Sequence, residues 1–198
     1  MSPIGGMSPI KGERYEMNHV SSELEDLLKK KIRSIPDFPK KGILFRDITT
    51  LLQDGPLFSR VIDLLAEYCR QKKAGAIVAV ESRGFIFGGA LADRLKIPFL
   101  PVRKEGKLPA ATVKVNYCLE YGEECIEMHI DALGQDKDVV IVDDLLATGG
   151  TAVAAAELVE KCGGKVKGIA FLIELTILKG REKLQKYDLC SLIKYDDI

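Results

Sequence analysis

The sequence has no surplus of charge: Lys plus Arg number 29 and Asp plus Glu number 29. No global field therefore draws the chain to nucleic acid or to a membrane surface, and any anion site must be built locally. No apolar run is long enough to span a bilayer, and no secretory h-region is present. Cysteines are few and odd in number, 5 in 198 residues. Cys69, Cys118, Cys125, Cys162 and Cys190 are scattered, with no CxxC pair and no adjacent His, which argues against a disulfide framework or a zinc site. They read as reduced thiols of a cytoplasmic protein. Two phosphate-binding signatures are also missing, the GxxxxGK[ST] loop and the GxGxxG turn. His19 and His129, the only histidines, sit in no catalytic pattern.

What remains is ordinary globular composition, 46% apolar and 29% charged, in a chain long enough for one domain with a real core. Met-Ser-Pro-Ile occurs twice around Gly5-Gly6, without apolar periodicity. Residues 1–20 read as a disordered leader and residues 21–198 as a single domain. A helix is predicted from Ser21 or Ser22 to about Arg33, with Ser22 and Glu25 as a capping box and Leu24, Leu27, Leu28 and Ile32 on one face. Pro36 and Pro39 impose an irregular stretch. Pro56 opens a second helix with Leu57, Phe58, Val61, Ile62, Leu65 and Tyr68 as its apolar stripe.

Beyond this point the period changes. Residues 76–80, 97–102, 138–142, 166–173 and 189–193 read as five buried strands. Helices follow Gly84 and run from about Thr151 to Cys162, the latter stopped by Gly163-Gly164. Alternating strands and helices predict an α/β fold with a mainly parallel sheet. Residues 103–130 break the pattern and predict a hairpin around Tyr121-Gly122, of a length often used for a lid.

The chemistry concentrates in residues 139–151. An apolar strand ends in Asp143-Asp144, and Leu145-Leu146 leads into the small-residue loop Ala147-Thr148-Gly149-Gly150-Thr151 at a helix start. Ligands of open α/β sheets bind beyond the strands' carboxyl ends. Loop N–H groups, the helix N-terminus and the two Thr hydroxyls form an anion site. The carboxylates repel phosphate and need another partner: ribose 2′ and 3′ hydroxyls, or a divalent cation shared with the substrate. Taken singly, a DD pair ends a strand and TGGT caps a helix; the ordered run describes a ribose 5-phosphate pocket.

This run resembles the phosphoribosyl pyrophosphate motif of the type I phosphoribosyltransferases. Phe38-Pro39 with residues 42–47, residues 81–85, residues 103–109 leading to Leu119-Glu120-Tyr121-Gly122, and Glu174-Leu175-Thr176 followed by residues 179–184 resemble the adenine-specific branch in the same order. The resemblance covers roughly residues 32–195. It implies a five-stranded, mainly parallel sheet flanked by helices, a hairpin lid and an N-terminal hood. It implies adenine, 5-phosphoribosyl 1-pyrophosphate and AMP as ligands, Mg²⁺ carried by the substrate with no metal ligand assigned in the chain, and a homodimer.

The resemblance also distributes roles. Asp143 and Asp144 hold the ribose hydroxyls and oppose positive charge on the sugar, and Ala147, Thr148, Gly149, Gly150 and Thr151 hold the 5′-phosphate. Arg83, Arg103 and Lys107 grip the pyrophosphate. Glu120 handles a proton near the base. Leu44, Phe45 and Arg46 form the adenine pocket, Phe45 stacking on the ring and backbone groups reading its edge. A cis peptide is implied between Glu81 and Ser82, where family members often carry Asp at the first position. Each basic loop residue can equally be a solvated charge, Glu120 an exposed strand residue and Phe45 an ordinary core side chain. Two other functions remain open: transfer to hypoxanthine, guanine, xanthine or orotate, and a non-catalytic regulator that binds the sugar pyrophosphate. The regulator lacks support in a helix-turn-helix or a basic face.

Overall fold

The structure, a computed structural model, describes residues 21–119, 122–134 and 138–197. The leader, Glu120 and Tyr121 lie outside them. Helix α1 (Ser22–Lys31) is capped one residue earlier than the capping-box reading: Ser21 accepts from Leu24 N, with Glu23 and Glu25 in the first turn and Lys29, Lys30 and Lys31 in the last. Those charges oppose the helix dipole at both ends. Leu24, Leu28 and Ile32 are buried, whereas Leu27, expected on the same face, is 46% exposed. Next come β1 (Arg33–Pro36) and β2 (Leu44–Asp47), which pair antiparallel from Arg33↔Asp47 to Pro36↔Leu44. This small sheet, with α1 and the short α2 (Thr49–Leu52), forms the N-terminal hood.

Helix α3 (Gly55–Gln71) begins at the Asp54 N-cap with Pro56 in its first turn, and buries Leu57, Val61, Ile62, Leu65 and Tyr68. Each such side chain contributes roughly 1.5–3 kcal/mol on burial. The main sheet contains β3 (Ala76–Val80), β4 (Phe99–Lys104), β7 (Asp138–Leu146), β8 (Lys165–Leu175) and β9 (Leu189–Tyr195). These five are mutually parallel. The hairpin β5 (Thr112–Leu119) and β6 (Gly122–His129) adds two antiparallel strands at the β4 edge, through Arg103↔Glu127 and Lys104↔Ile126. The sheet therefore has seven strands in the order β5-β6-β4-β3-β7-β8-β9, rather than five.

Helix α4 (Gly84–Leu95) follows β3, and α5 (Gly150–Lys161) follows β7. Ile77, Val140, Val142, Ala170 and Leu172 pack with residues of α1, α3 and α4. Val78, Val139, Ile141, Ile169 and Phe171 pack with the alanines, Leu158 and Val159 of α5. Alternate strand residues thus feed two cores, which is why the strands read as continuous apolar runs. Among the described residues no helix is long and apolar enough to cross a membrane. β4 and β7 lie on opposite sides of β3, so the chain reverses its order of addition there and opens a crevice at their carboxyl ends.

Candidate active site

The crevice follows from unequal strand lengths. β3 pairs with β7 only as far as Ala79↔Val142, while β7 continues beside β8 to Leu146↔Glu174. Asp143 and Asp144 therefore project past the end of β3, facing the Glu81-Ser82-Arg83 turn that starts α4. The Glu81–Ser82 peptide is cis, as the resemblance implies, and Phe38–Pro39 is cis as well.

A polar cavity of about 210 Å³ is lined by Glu81, Ser82, Arg83, Asp143, Asp144 and Thr151, with Lys104, Tyr117 and Glu124 closing its far wall. Asp144 is 4% exposed. Arg83 Nε stands 3.0 Å from its Oδ2, yet that oxygen has no hydrogen bond, so the contact is an ion pair without hydrogen-bond alignment. Asp143 Oδ1 accepts from Asp144 N at 2.9 Å. Burial and the neighbouring Asp144 charge push the Asp143 carboxyl well above its ordinary value. Burial also raises Asp144, more than the Arg83 charge lowers it. The pair resists double ionisation until a ligand supplies donors or positive charge.

Residues 147–149 join β7 to α5, whose first turn holds Gly150 and Thr151. Gly149 adopts φ +80°, a conformation open to glycine, and turns the loop into the helix N-terminus. Of these residues Thr151 lines the polar cavity; Ala147, Thr148, Gly149 and Gly150 precede it in sequence and do not line it.

A second cavity, of about 410 Å³ and mostly apolar, is lined by Phe45 together with Ile35, Phe38, Ile48, Leu52, Ile86 and Arg83. Phe38 packs edge-on against Phe45 with ring centroids 5.1 Å apart, and the Arg83 guanidinium lies 5.2 Å from the Phe45 ring centroid. Arg83 lines both cavities. The Arg46 side chain turns away from them. It bonds Ser34 Oγ and Asp197 and stacks 3.8 Å from the Tyr195 ring centroid. Its backbone carbonyl faces Arg83, accepting from NH1 at 3.4 Å. Leu44 is half-buried beside it.

The basic residues at the end of β4 and just after it divide. Arg103 is held by Glu81, Nε to Oε2 at 2.7 Å, and donates to the Lys107 carbonyl at 3.0 Å. It does not line the polar cavity; Lys104 does, bonded to Glu124 at 2.9 Å. The Lys107 side chain is exposed, but its backbone is fixed. Glu127, 2% exposed, accepts from Lys107 N and Leu108 N, each at 3.0 Å, and from the Thr112 hydroxyl at 3.1 Å. Burial opposes the Glu127 charge, yet the Leu108, Thr112 and Lys107 bonds hold its carboxyl below the ordinary range. Sequence reasoning singled out neither Glu127 nor the Lys104–Glu124–Tyr117 wall, because nothing local distinguishes a strand glutamate that faces inward. Glu120 lies outside the described residues. They contain no cluster of three metal-ligating side chains.

The family model for the phosphoribosyl transferase domain matches residues 47–197. An adenine phosphoribosyltransferase of Clostridium perfringens is 56% identical over 169 residues, 85% of this chain and 98% of that protein. The crystal structure of adenine phosphoribosyltransferase from Thermoanaerobacter pseudethanolicus superposes with a TM-score of 0.82 at 55% identity, covering 86% of this chain and 99% of that one. The Saccharomyces cerevisiae adenine phosphoribosyltransferase, solved with adenine and an imino-altritol bisphosphate, gives 0.80 at 40% identity over 86% and 99%. The cleft built at the β3–β7 crossover thus has the sequence and the scaffold of one enzyme family: the chain belongs to the phosphoribosyltransferases, within the adenine phosphoribosyltransferase branch.

Proposed function

We propose that this enzyme transfers the phosphoribosyl group of 5-phosphoribosyl 1-pyrophosphate to adenine, giving AMP and pyrophosphate. One observation carries the reading. Arg83 stands between a polar cavity holding the Asp143–Asp144 pair, whose Asp144 Oδ2 has no hydrogen bond, and an apolar cavity walled by Phe45, so a sugar phosphate and a flat base fit side by side. Residues 147–151 bind the 5′-phosphate through loop N–H groups, the Thr148 and Thr151 hydroxyls and the start of α5. Asp143 and Asp144 accept from the ribose hydroxyls and, once ionised, oppose the positive charge that grows on the sugar as its C1–O bond breaks. Adenine N9 forms the new bond to C1, pyrophosphate leaves with the C1–O electron pair, and Glu120 takes the ring N–H proton.

Arg83 binds the departing pyrophosphate, with Arg103 presented from the end of β4 and Lys107 from the loop that Glu127 fastens. The carboxylates also fit a cation that arrives on the substrate, since Mg²⁺ is usually bound through one or two carboxylates plus substrate phosphates. When bound, Mg²⁺ supplies charge neutralisation on the pyrophosphate. A cytoplasmic homodimer completes the reading; Cys69, Cys125, Cys162 and Cys190 form no disulfide, which suits a reducing compartment.

The test is base selectivity. Adenine presents a donor at C6 and an acceptor at N1, and hypoxanthine reverses both. A site whose Leu44 and Arg46 backbone groups read that edge rejects hypoxanthine by about 10⁴-fold or more in kcat/KM. Phe45→Ala weakens both bases together, because stacking does not separate two similar rings. Hypoxanthine within about tenfold of adenine overturns the adenine assignment and leaves phosphoribosyl transfer in place.

A further inference from the structure

The segment 174–184 belongs to the resemblance, yet none of it lines either cavity. It lies instead on the outer side of the phosphate loop. A Cβ placed on Gly180 would stand 2.2 Å from the Ala147 carbonyl oxygen and 3.0 Å from Gly149 N, and one on Gly149 would stand 2.7 Å from the Gly180 carbonyl oxygen. Two backbones therefore press together with no room for a side chain on either. The backbone of residues 147–149, within the stretch read as the 5′-phosphate site, rests on Gly180.

Gly180 is itself held firmly. Lys179, at φ +53°, closes one 3₁₀ turn by donating to the Thr176 carbonyl at 3.0 Å, and Glu182 N returns to the Lys179 carbonyl at 3.0 Å. Next in sequence, Arg181 makes a two-pronged bond to Glu174, Nε to Oε1 at 2.9 Å and NH2 to Oε2 at 2.6 Å. The Ser191 hydroxyl donates to Glu174 Oε2 at 2.5 Å and accepts from Arg181 NH2 at 3.3 Å. Glu174 is 4% exposed and pairs in register with Leu146, immediately before the loop. The fork thus ties the backing segment to the strand beside the one that carries the loop.

We propose that Gly180 is the backing surface of the 5′-phosphate loop and that Glu174, Arg181 and Ser191 are positioning residues for it, acting on sugar-phosphate binding through the loop backbone. The proposal rests on the reading of residues 147–151 as the phosphate site. A preformed anion site depends on several N–H groups converging on one oxygen set, and a displacement of roughly 1 Å at such a site costs on the order of 10²-fold. A side-chain rotation at Leu146 would not make room for a methyl group at Gly180, because the nearest atom it meets, at 2.2 Å, is the Ala147 carbonyl oxygen.

The experiment compares Gly180→Ala, Arg181→Ala and Arg181→Lys with wild type. It measures KM for the sugar pyrophosphate, KM for adenine, AMP affinity by calorimetry, and secondary structure by circular dichroism. Gly180→Ala is expected to raise the sugar-pyrophosphate KM and weaken AMP by about tenfold or more, with adenine KM changed less than about threefold. Arg181→Ala moves the same two parameters by a smaller factor, and Arg181→Lys recovers part of the loss but not the planar fork. A purely structural role predicts lower thermal stability with the ratio of the two KM values unchanged, and that result sinks the proposal. Should Gly180→Ala fail to fold, the Arg181 pair decides by the same ratio. Thr148→Ala with Thr151→Ala separates the two levels. If it leaves AMP affinity intact, the phosphate-site reading falls and takes the backing role with it. If it weakens AMP while a folded Gly180→Ala does not, only the backing role is overturned.

Discussion

Asp144 and Glu174 sit near the carboxyl ends of neighbouring strands and are equally buried, at 4% exposure each. Their surroundings drive them in opposite directions. At Glu174 burial opposes the charge, but the hydrogen bonds from Arg181 and Ser191 and the Arg181 charge outweigh it, and the carboxyl is held below its ordinary value. At Asp144 burial wins over the Arg83 charge, leaving the carboxyl raised and Oδ2 without a hydrogen bond. A carboxylate whose acceptor sites are filled by the protein fastens structure. One whose acceptor sites are left open, at a cost to stability, is available to a ligand. The contrast separates the scaffold around the proposed phosphate loop from the site proposed to use it.

The largest expected effect breaks the ligand side of this contrast. Asp144→Asn keeps the size and fold but removes a charge aimed at the developing sugar cation, and kcat should fall by about 10²–10³-fold. Steady-state kinetics with a thermal melt checks it; turnover near wild type removes Asp144 from the mechanism.

The scaffold side responds differently. Glu174→Ala should lower stability by about 1–3 kcal/mol, at the modest end because the Arg181 side chain is 42% exposed and keeps its hydration. For a chain of this size, 1 kcal/mol corresponds to roughly 2–4 °C in Tm. The Glu174 contribution is present above its unfolded-state value near 4.5 and is lost as pH falls through the lowered folded-state value, so the wild-type and variant melting curves should converge in acid.

The smallest effect carries the opposite sign. The Asp143 carboxyl is raised above 3.8 in the folded protein, so the native state binds the proton more tightly than the unfolded chain. Its contribution to stability is fully present below 3.8 and is lost as pH rises through the raised value. Asp143→Asn should therefore melt a few degrees above wild type near pH 8, an advantage that fades toward about pH 4, while activity drops. Calorimetry across that range checks it. A shift independent of pH shows that charge is not the cause.

How far these regions are legible in sequence depends on the range of their contacts. The five parallel strands show as apolar runs because helices cover both faces, and α3 and α5 show through Pro56, the apolar stripe and Gly163-Gly164. The phosphate loop with its carboxylates shows because 13 consecutive residues, Val139 to Thr151, carry it. The pairing of β1 with β2 does not show: each is 4 residues long, with a proline-bearing loop between them. The Glu127 anchor links residues 20 and 19 positions apart, and no local pattern marks Glu127 as inward-facing. Helical spacing alone places Leu27 in the core, whereas only Leu24, Leu28 and Ile32 of that stripe are buried.

The sequence by itself determined the α/β class, the order of the five parallel strands and the helices between them, and the residue types of the loop after β7, since these depend on periodicity, caps and contiguous motifs. Tertiary structure decided which charges are filled and which are left open. It placed Arg83 between two cavities, turned the Arg46 side chain toward Asp197 and Tyr195, and set Gly180 against the backbone of Ala147 and Gly149. Those outcomes depend on segments that meet only after the sheet has assembled, and burial there sets the worth of each charge.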